Sequence, residues 1–135
     1  MPATTLPGDV EAHLAVPPVG ARPWPGVVVL HESFGLNDDI RQQADRLAAA
    51  GYLAVAPDLF SAGGAWRCLR ATFRAAMAGR GKAFDDIEAA RTWLSAREDC
   101  SGRIGVIGFC LGGGFALLTA ARGFDASAPN YAHLP

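Results

Sequence analysis

From Val10 to Val16 apolar and polar positions alternate loosely until Pro17-Pro18 interrupts them, which predicts a half-exposed strand at a sheet edge. Past Arg22-Pro23-Trp24-Pro25-Gly26, the run Val27-Val28-Val29-Leu30 is apolar at every position. Such runs belong to strands covered on both faces, as in parallel sheets. The period then changes. Asn37-Asp38-Asp39 is a helix start, because Asn caps free amides and acids suit the positive end of the helix dipole. Ile40, Ala44, Leu47 and Ala48 mark one face, and Gly51 ends the helix. Tyr52-Leu53-Ala54-Val55-Ala56 is the next buried strand, closed by Pro57-Asp58.

Trp66, Leu69, Phe73 and Met77 recur at helical spacing and predict an apolar face, with Gly79 and Gly81 as terminators. A second helix is expected from about Asp85 to Arg97 on Ile87, Ala90 and Leu94, then a short strand at Arg103-Ile104-Gly105-Val106-Ile107. A helix from Leu111 to Ala121 and a strand from about Asp125 to Asn130 complete the pattern. Strands and helices alternating in this way predict an α/β class, a mostly parallel open sheet flanked by helices, in one domain spanning residues 1–135.

Composition narrows the function classes. Half the residues are apolar, enough for a core, and twelve Lys plus Arg against thirteen Asp plus Glu leave a net charge of −1. That balance exerts no pull toward nucleic acid or anionic membrane, so neither partner is expected. No stretch approaches the roughly 18 apolar residues of a membrane span, and the opening segment lacks a signal-peptide pattern. Three widely spaced cysteines, Cys68, Cys100 and Cys110, fit neither a disulfide framework nor a CxxC zinc site. A cytoplasmic location is the expectation. Arg67, Arg70, Arg74, Arg80 and Lys82 cluster within sixteen residues, and the amphipathic pattern predicts a solvated helix face for them.

The candidate chemistry centres on Gly108-Phe109-Cys110-Leu111-Gly112. A thiol between a strand and a helix, with glycine two residues to either side, has the nucleophile-elbow pattern with Cys in place of Ser. In so sharp a turn a side chain at Gly108 or Gly112 would collide with the neighbouring helix or strand. The helix start favours an anion at the turn, and free amides, beginning with Leu111, are available to an oxyanion. A second group, His31-Glu32-Ser33-Phe34-Gly35, follows the strand Val27 to Leu30, at the sheet end where open α/β folds bind ligands. Glu32 there is expected to meet a specific partner, and His31 to be a satisfied core or rim histidine.

Val27 to Gly35, Ala56-Pro57-Asp58-Leu59, Phe84-Asp85-Asp86-Ile87 and Gly105 to Gly114 together resemble the dienelactone hydrolase family, within the α/β-hydrolase fold. The resemblance implies Cys110 as nucleophile, Glu32 as the acid that engages its thiol, and the backbone amides of Ser33 and Leu111 as oxyanion hole. It implies cleavage of a small-molecule lactone or ester through an acyl-thioester, with no metal or organic cofactor. The family's orienting acid and histidine lie after later strands, so the fold is expected to be incomplete at its C-terminus. Little turnover is then expected from these residues alone. Asp125 belongs to the sheet end away from the elbow, and His133, though at the elbow end, has no evident orienting acid. An unpaired sheet edge makes self-association a further expectation. Two other readings stay open: a non-catalytic binding or assembly module, and a protein that uses Cys110 as a reactive thiol.

Overall fold

The computed structural model describes residues 3–61, 63 and 65–132, with the side chains of 65–67 outside the description. Its elements are β1 (Ala3–Leu6), β2 (Val10–Ala15), β3 (Trp24–Leu30), α1 (Asp38–Ala49), β4 (Leu53–Pro57), α2 (Ala65–Ala78), α3 (Lys82–Ser95), β5 (Cys100–Phe109), α4 (Leu111–Thr119) and β6 (Ala126–Asn130). The strands form one sheet in the order β1-β2-β4-β3-β5-β6. Strand β2 runs antiparallel to β1 and β4, whereas β4, β3, β5 and β6 are mutually parallel. This is the expected α/β fold, with a mixed, mostly parallel sheet.

Alternate positions of the central strands enter two separate cores. Val28, Leu30, Leu53, Val55, Ile104 and Val106 face one side, where α3 and α4 pack. Val27, Val29, Ala54 and Ala56 face the other, with Ile40, Ala44 and Ala48 of α1. Burial on both faces is why β3 and β4 carry no polar residue from Val27 to Leu30 and from Leu53 to Ala56. Helix α1 begins and ends as its sequence predicts. Asn37 Oδ1 accepts from the Ile40 amide at 3.2 Å, and Gly51 (φ 103°) and Tyr52 return hydrogen bonds to the carbonyls of Ala48 and Leu47.

Three expectations are corrected. The segment from Val10 is not an edge strand: β1 pairs along it, through a turn at Pro7-Gly8-Asp9 in which Gly8 (φ 85°) and Asp9 (φ 59°) take left-handed conformations. The strand before the elbow is ten residues long, not short. In α2 the expected face is turned outward, with Phe73 48 % and Met77 72 % exposed, while Cys68, Thr72 and Ala75 are buried; Leu69 is partly buried and the Trp66 side chain lies outside the described residues. The reason is the neighbour. Helix α2 packs mainly on α3 and α4, not on the sheet, and two helices approach closely where their contact residues are small. Helices α2 and α3 otherwise form as expected, separated at Gly79 and Gly81, both at positive φ.

Topology then selects the site. From β3 the chain leaves to α1 on one face, and from the adjacent β5 it leaves to α4 on the other. The crevice outside the C-terminal ends of β3 and β5 is therefore the topological switch point of the sheet, the position where open α/β folds bind ligands.

Candidate active site

Two loops flank that crevice. Leu30, the last residue of β3, pairs with Gly108 of β5, so Glu32 and Cys110 both lie just beyond neighbouring parallel strand ends. Cys110 is partly exposed and sits at φ 55°, ψ −109° as the residue preceding α4. A side chain in that conformation costs on the order of 1–3 kcal/mol and persists only where the surroundings over-determine it. Here they do. The Cys110 amide donates to the Asn130 carbonyl at 2.9 Å, and Gly114 donates to the Cys110 carbonyl at 3.0 Å. Phe115, fully buried, meets the Phe84 ring edge-on at 5.1 Å and anchors α4 to α3.

Three glycines permit the approach. A Cβ on Gly108 would overlap the Gly112 carbonyl, one on Gly112 the carbonyls of Leu30 and His31, and one on Gly113 the Asn130 carbonyl. The elbow is thus wedged between β3 and β6 by close backbone contact. Leu111 is the first residue of α4, where helix geometry gives the backbone amide no intrahelical acceptor.

The β3 exit loop is held differently. The Glu32 carbonyl accepts from Gly35 N–H at 3.2 Å, closing a turn with Ser33 and Phe34 at its centre, and lies 2.6 Å from His31 Nδ1. His31 Nε2 accepts from the Leu59 amide at 2.9 Å. The ring is completely buried and packs edge-on against Phe60, centroids 4.8 Å apart. Asp58 Oδ1 lies 3.6 Å from Nε2 and accepts from the Phe60 amide at 2.9 Å. Burial disfavours the Asp58 carboxylate, but the hydrogen bonds it accepts from the Phe60 and Leu36 amides favour it, and its pKa lies below the ordinary value.

His31 is therefore the satisfied core histidine that the sequence suggests. The Glu32 side chain is half-buried, and no hydrogen bond joins it to the Cys110 thiol among the described residues. Asp125 accepts from the Ile104 amide at 2.8 Å, just before the start of β6 and so at the end of that strand away from the elbow, as expected. His133 lies outside the described residues. Arg74, Arg80 and Lys82 border a cavity of about 750 Å³ that opens beside Leu59, and Lys82 is paired with Asp86 at 2.8 Å. Asn130, Asp58 and Leu59 also hold the site, through backbone and turn contacts that leave no spacing pattern in a sequence. No group of three His, Cys, Asp or Glu suited to a metal occurs among the described residues.

The dienelactone hydrolase family model matches residues 10–135. The chain belongs to the dienelactone hydrolase family. Carboxymethylenebutenolidase from Pseudomonas putida is 34% identical over 118 residues, covering 81% of this chain and 50% of that protein. The carboxymethylenebutenolidase of a Pseudomonas sp. is 32% identical, covering 92% of this chain and 55% of its own length. A solved dienelactone hydrolase-like promiscuous phosphotriesterase from metagenomic libraries superposes with a TM-score of 0.74 at 28% identity, over 93% of this chain and 56% of that one. This dienelactone hydrolase family chain thus spans about half the length of the curated relatives it matches. No helix among its described residues is long and apolar enough to cross a membrane.

Proposed function

We propose that this chain carries the nucleophile and oxyanion amides of a carboxymethylenebutenolidase-type hydrolase acting on a small-molecule lactone or ester. Cys110 gives up its thiol proton and Sγ attacks the acyl carbon; an S–C bond forms, the C–O bond breaks with its electron pair leaving on oxygen, which takes up a proton, and water then cleaves the thioester, releasing the acid and returning a proton to sulfur. The amides of Ser33 and Leu111 hold the oxyanion, and Glu32 engages the thiol. The observation that carries this reading is the Cys110 conformation, φ 55° and ψ −109°, at the switch point of a sheet whose family is hydrolytic. No histidine is hydrogen-bonded to Cys110 among the described residues, so acylation is expected to outrun release.

Incubating the purified chain with p-nitrophenyl acetate tests this. The expected result is one Cys110-bound acetyl group per chain with slow release, abolished by Cys110→Ala; no Cys110-dependent acetylation overturns it. Fast alkylation by iodoacetamide without acetylation favours the reactive-thiol reading instead. The chain is read as one domain and as cytoplasmic, supported by its free Cys68, Cys100 and Cys110 thiols. Self-association through β6 belongs to the same proposal, since β6 pairs only with β5 among the described strands. A concentration-dependent elution volume in size-exclusion chromatography checks it.

A further inference from the structure

We infer that His31 is a positioning residue for the oxyanion hole: by holding the Glu32 carbonyl, its ring fixes the direction of the Ser33 N–H. The inference rests on the hydrolase reading above. The Glu32 carbonyl and the Ser33 N–H belong to one planar trans peptide unit, so they point in opposite directions. Whatever pins the carbonyl aims the N–H. Two donors pin it, the Gly35 amide at 3.2 Å and the His31 ring at 2.6 Å.

The ring can donate from Nδ1 because its other nitrogen is occupied. Nε2 accepts the Leu59 N–H at 2.9 Å, and a ring nitrogen that accepts carries no proton, which leaves the proton on Nδ1. This assignment makes His31 a poor general base, since both nitrogens are engaged and the ring has no exposed surface. It also references the loop to the sheet. Leu59 lies two residues past the end of β4, so the ring ties the β3 exit turn to the β4 exit, with Phe60 packed edge-on against it. The Gly35 bond alone is internal to the turn and would let it rock as a unit. Gly112 of the elbow rests on the Leu30 and His31 carbonyls, so the loop aimed by the ring and the loop bearing the thiol share one contact.

A merely structural histidine is distinguished by comparing two reactions of the same sulfur. Acylation by p-nitrophenyl acetate develops charge on a carbonyl oxygen; alkylation by iodoacetamide expels iodide and develops none. His31→Phe keeps a planar ring without either nitrogen, whereas His31→Asn keeps a donor near the position of Nδ1. Misaiming one oxyanion donor is expected to slow Cys110 acylation in His31→Phe by about 10- to 100-fold while alkylation is unchanged, and His31→Asn should restore most of the loss. Equal falls in both reactions, no fall in either, or failure of His31→Asn to restore acylation each overturn the inference. Wild-type protein that alkylates but never acylates overturns the hydrolase reading with it, whereas normal acylation in His31→Phe overturns the inference alone. Should His31→Phe fail to fold, the ¹⁵N resonances of His31 in the wild-type chain decide: a proton on Nδ1 supports the inference and one on Nε2 overturns it.

Discussion

The two loops at the switch point are fixed by opposite means. The elbow after β5 is held by steric closeness, backbone against backbone at three glycines, with its strain concentrated at Cys110. The loop after β3 is held by polar side chains, His31 on Glu32 and Leu59 and Asn37 on Ile40, with Asp58 fixing the adjoining β4 exit at Phe60. A steric fit admits no substitute, because any Cβ meets a carbonyl that has nowhere to move. A polar fit admits mimics that supply the same donor or acceptor. The elbow should therefore tolerate almost nothing, and its neighbour should tolerate chemistry-conserving change.

The largest expected effect tests the steric side. Gly112→Ala drives a methyl group into the Leu30 and His31 carbonyls and should cost more than about 3 kcal/mol, read as loss of cooperative thermal unfolding or of soluble protein. An unfolding midpoint equal to that of the wild type would break the comparison. Next, Cys110→Gly should be more stable than Cys110→Ala by about 1 kcal/mol, because glycine relieves the positive φ that alanine retains. Urea denaturation of the two variants measures the difference, and equal midpoints would mean that the turn stores no strain.

On the polar side, Asn37→Ala removes the cap of α1 and should cost about 1 kcal/mol, with Asn37→Asp close to wild type. The smallest effect is that of Asp58→Asn, under about 1 kcal/mol near neutral pH, since the amide oxygen still accepts from Phe60. Its sign appears in acid. A carboxyl held below its ordinary value of 3.8 contributes stability that is present above that value and lost as pH falls through the lower folded one. Wild-type stability should thus fall more steeply below about pH 4 than that of Asp58→Asn, and parallel acid limbs would show that Asp58 gains nothing from its partners.

What the sequence made legible follows the same division. Periodic and local signals were readable: the unbroken apolar run of β3, the Asn37 cap and Gly51 stop of α1, and the glycines around Cys110. Features decided by the neighbour were not. Phe73 and Met77 have the right spacing for a buried face, but Cys68, Thr72 and Ala75 lie on another face of the same helix and are small enough to sit against α3. Strand β1 is four residues with only Leu6 buried, too weak an alternation to register before its turn forms. His31 was readable as a core histidine, yet its partners at Glu32 and Leu59 are backbone atoms that every residue possesses.

Asn130 closes β6 and also clasps the elbow, its carbonyl on the Cys110 amide and its side-chain amide on the Gly108 carbonyl at 3.2 Å. The Cys110 turn therefore borrows its rigidity from the outermost described strand on that side of the sheet. Each time that strand frays, the Cys110 amide loses its acceptor and the turn can relax toward an unstrained conformation. Amide hydrogen exchange at Cys110 then counts the openings of β6, making this turn a gauge of how firmly the sheet's rim is sewn.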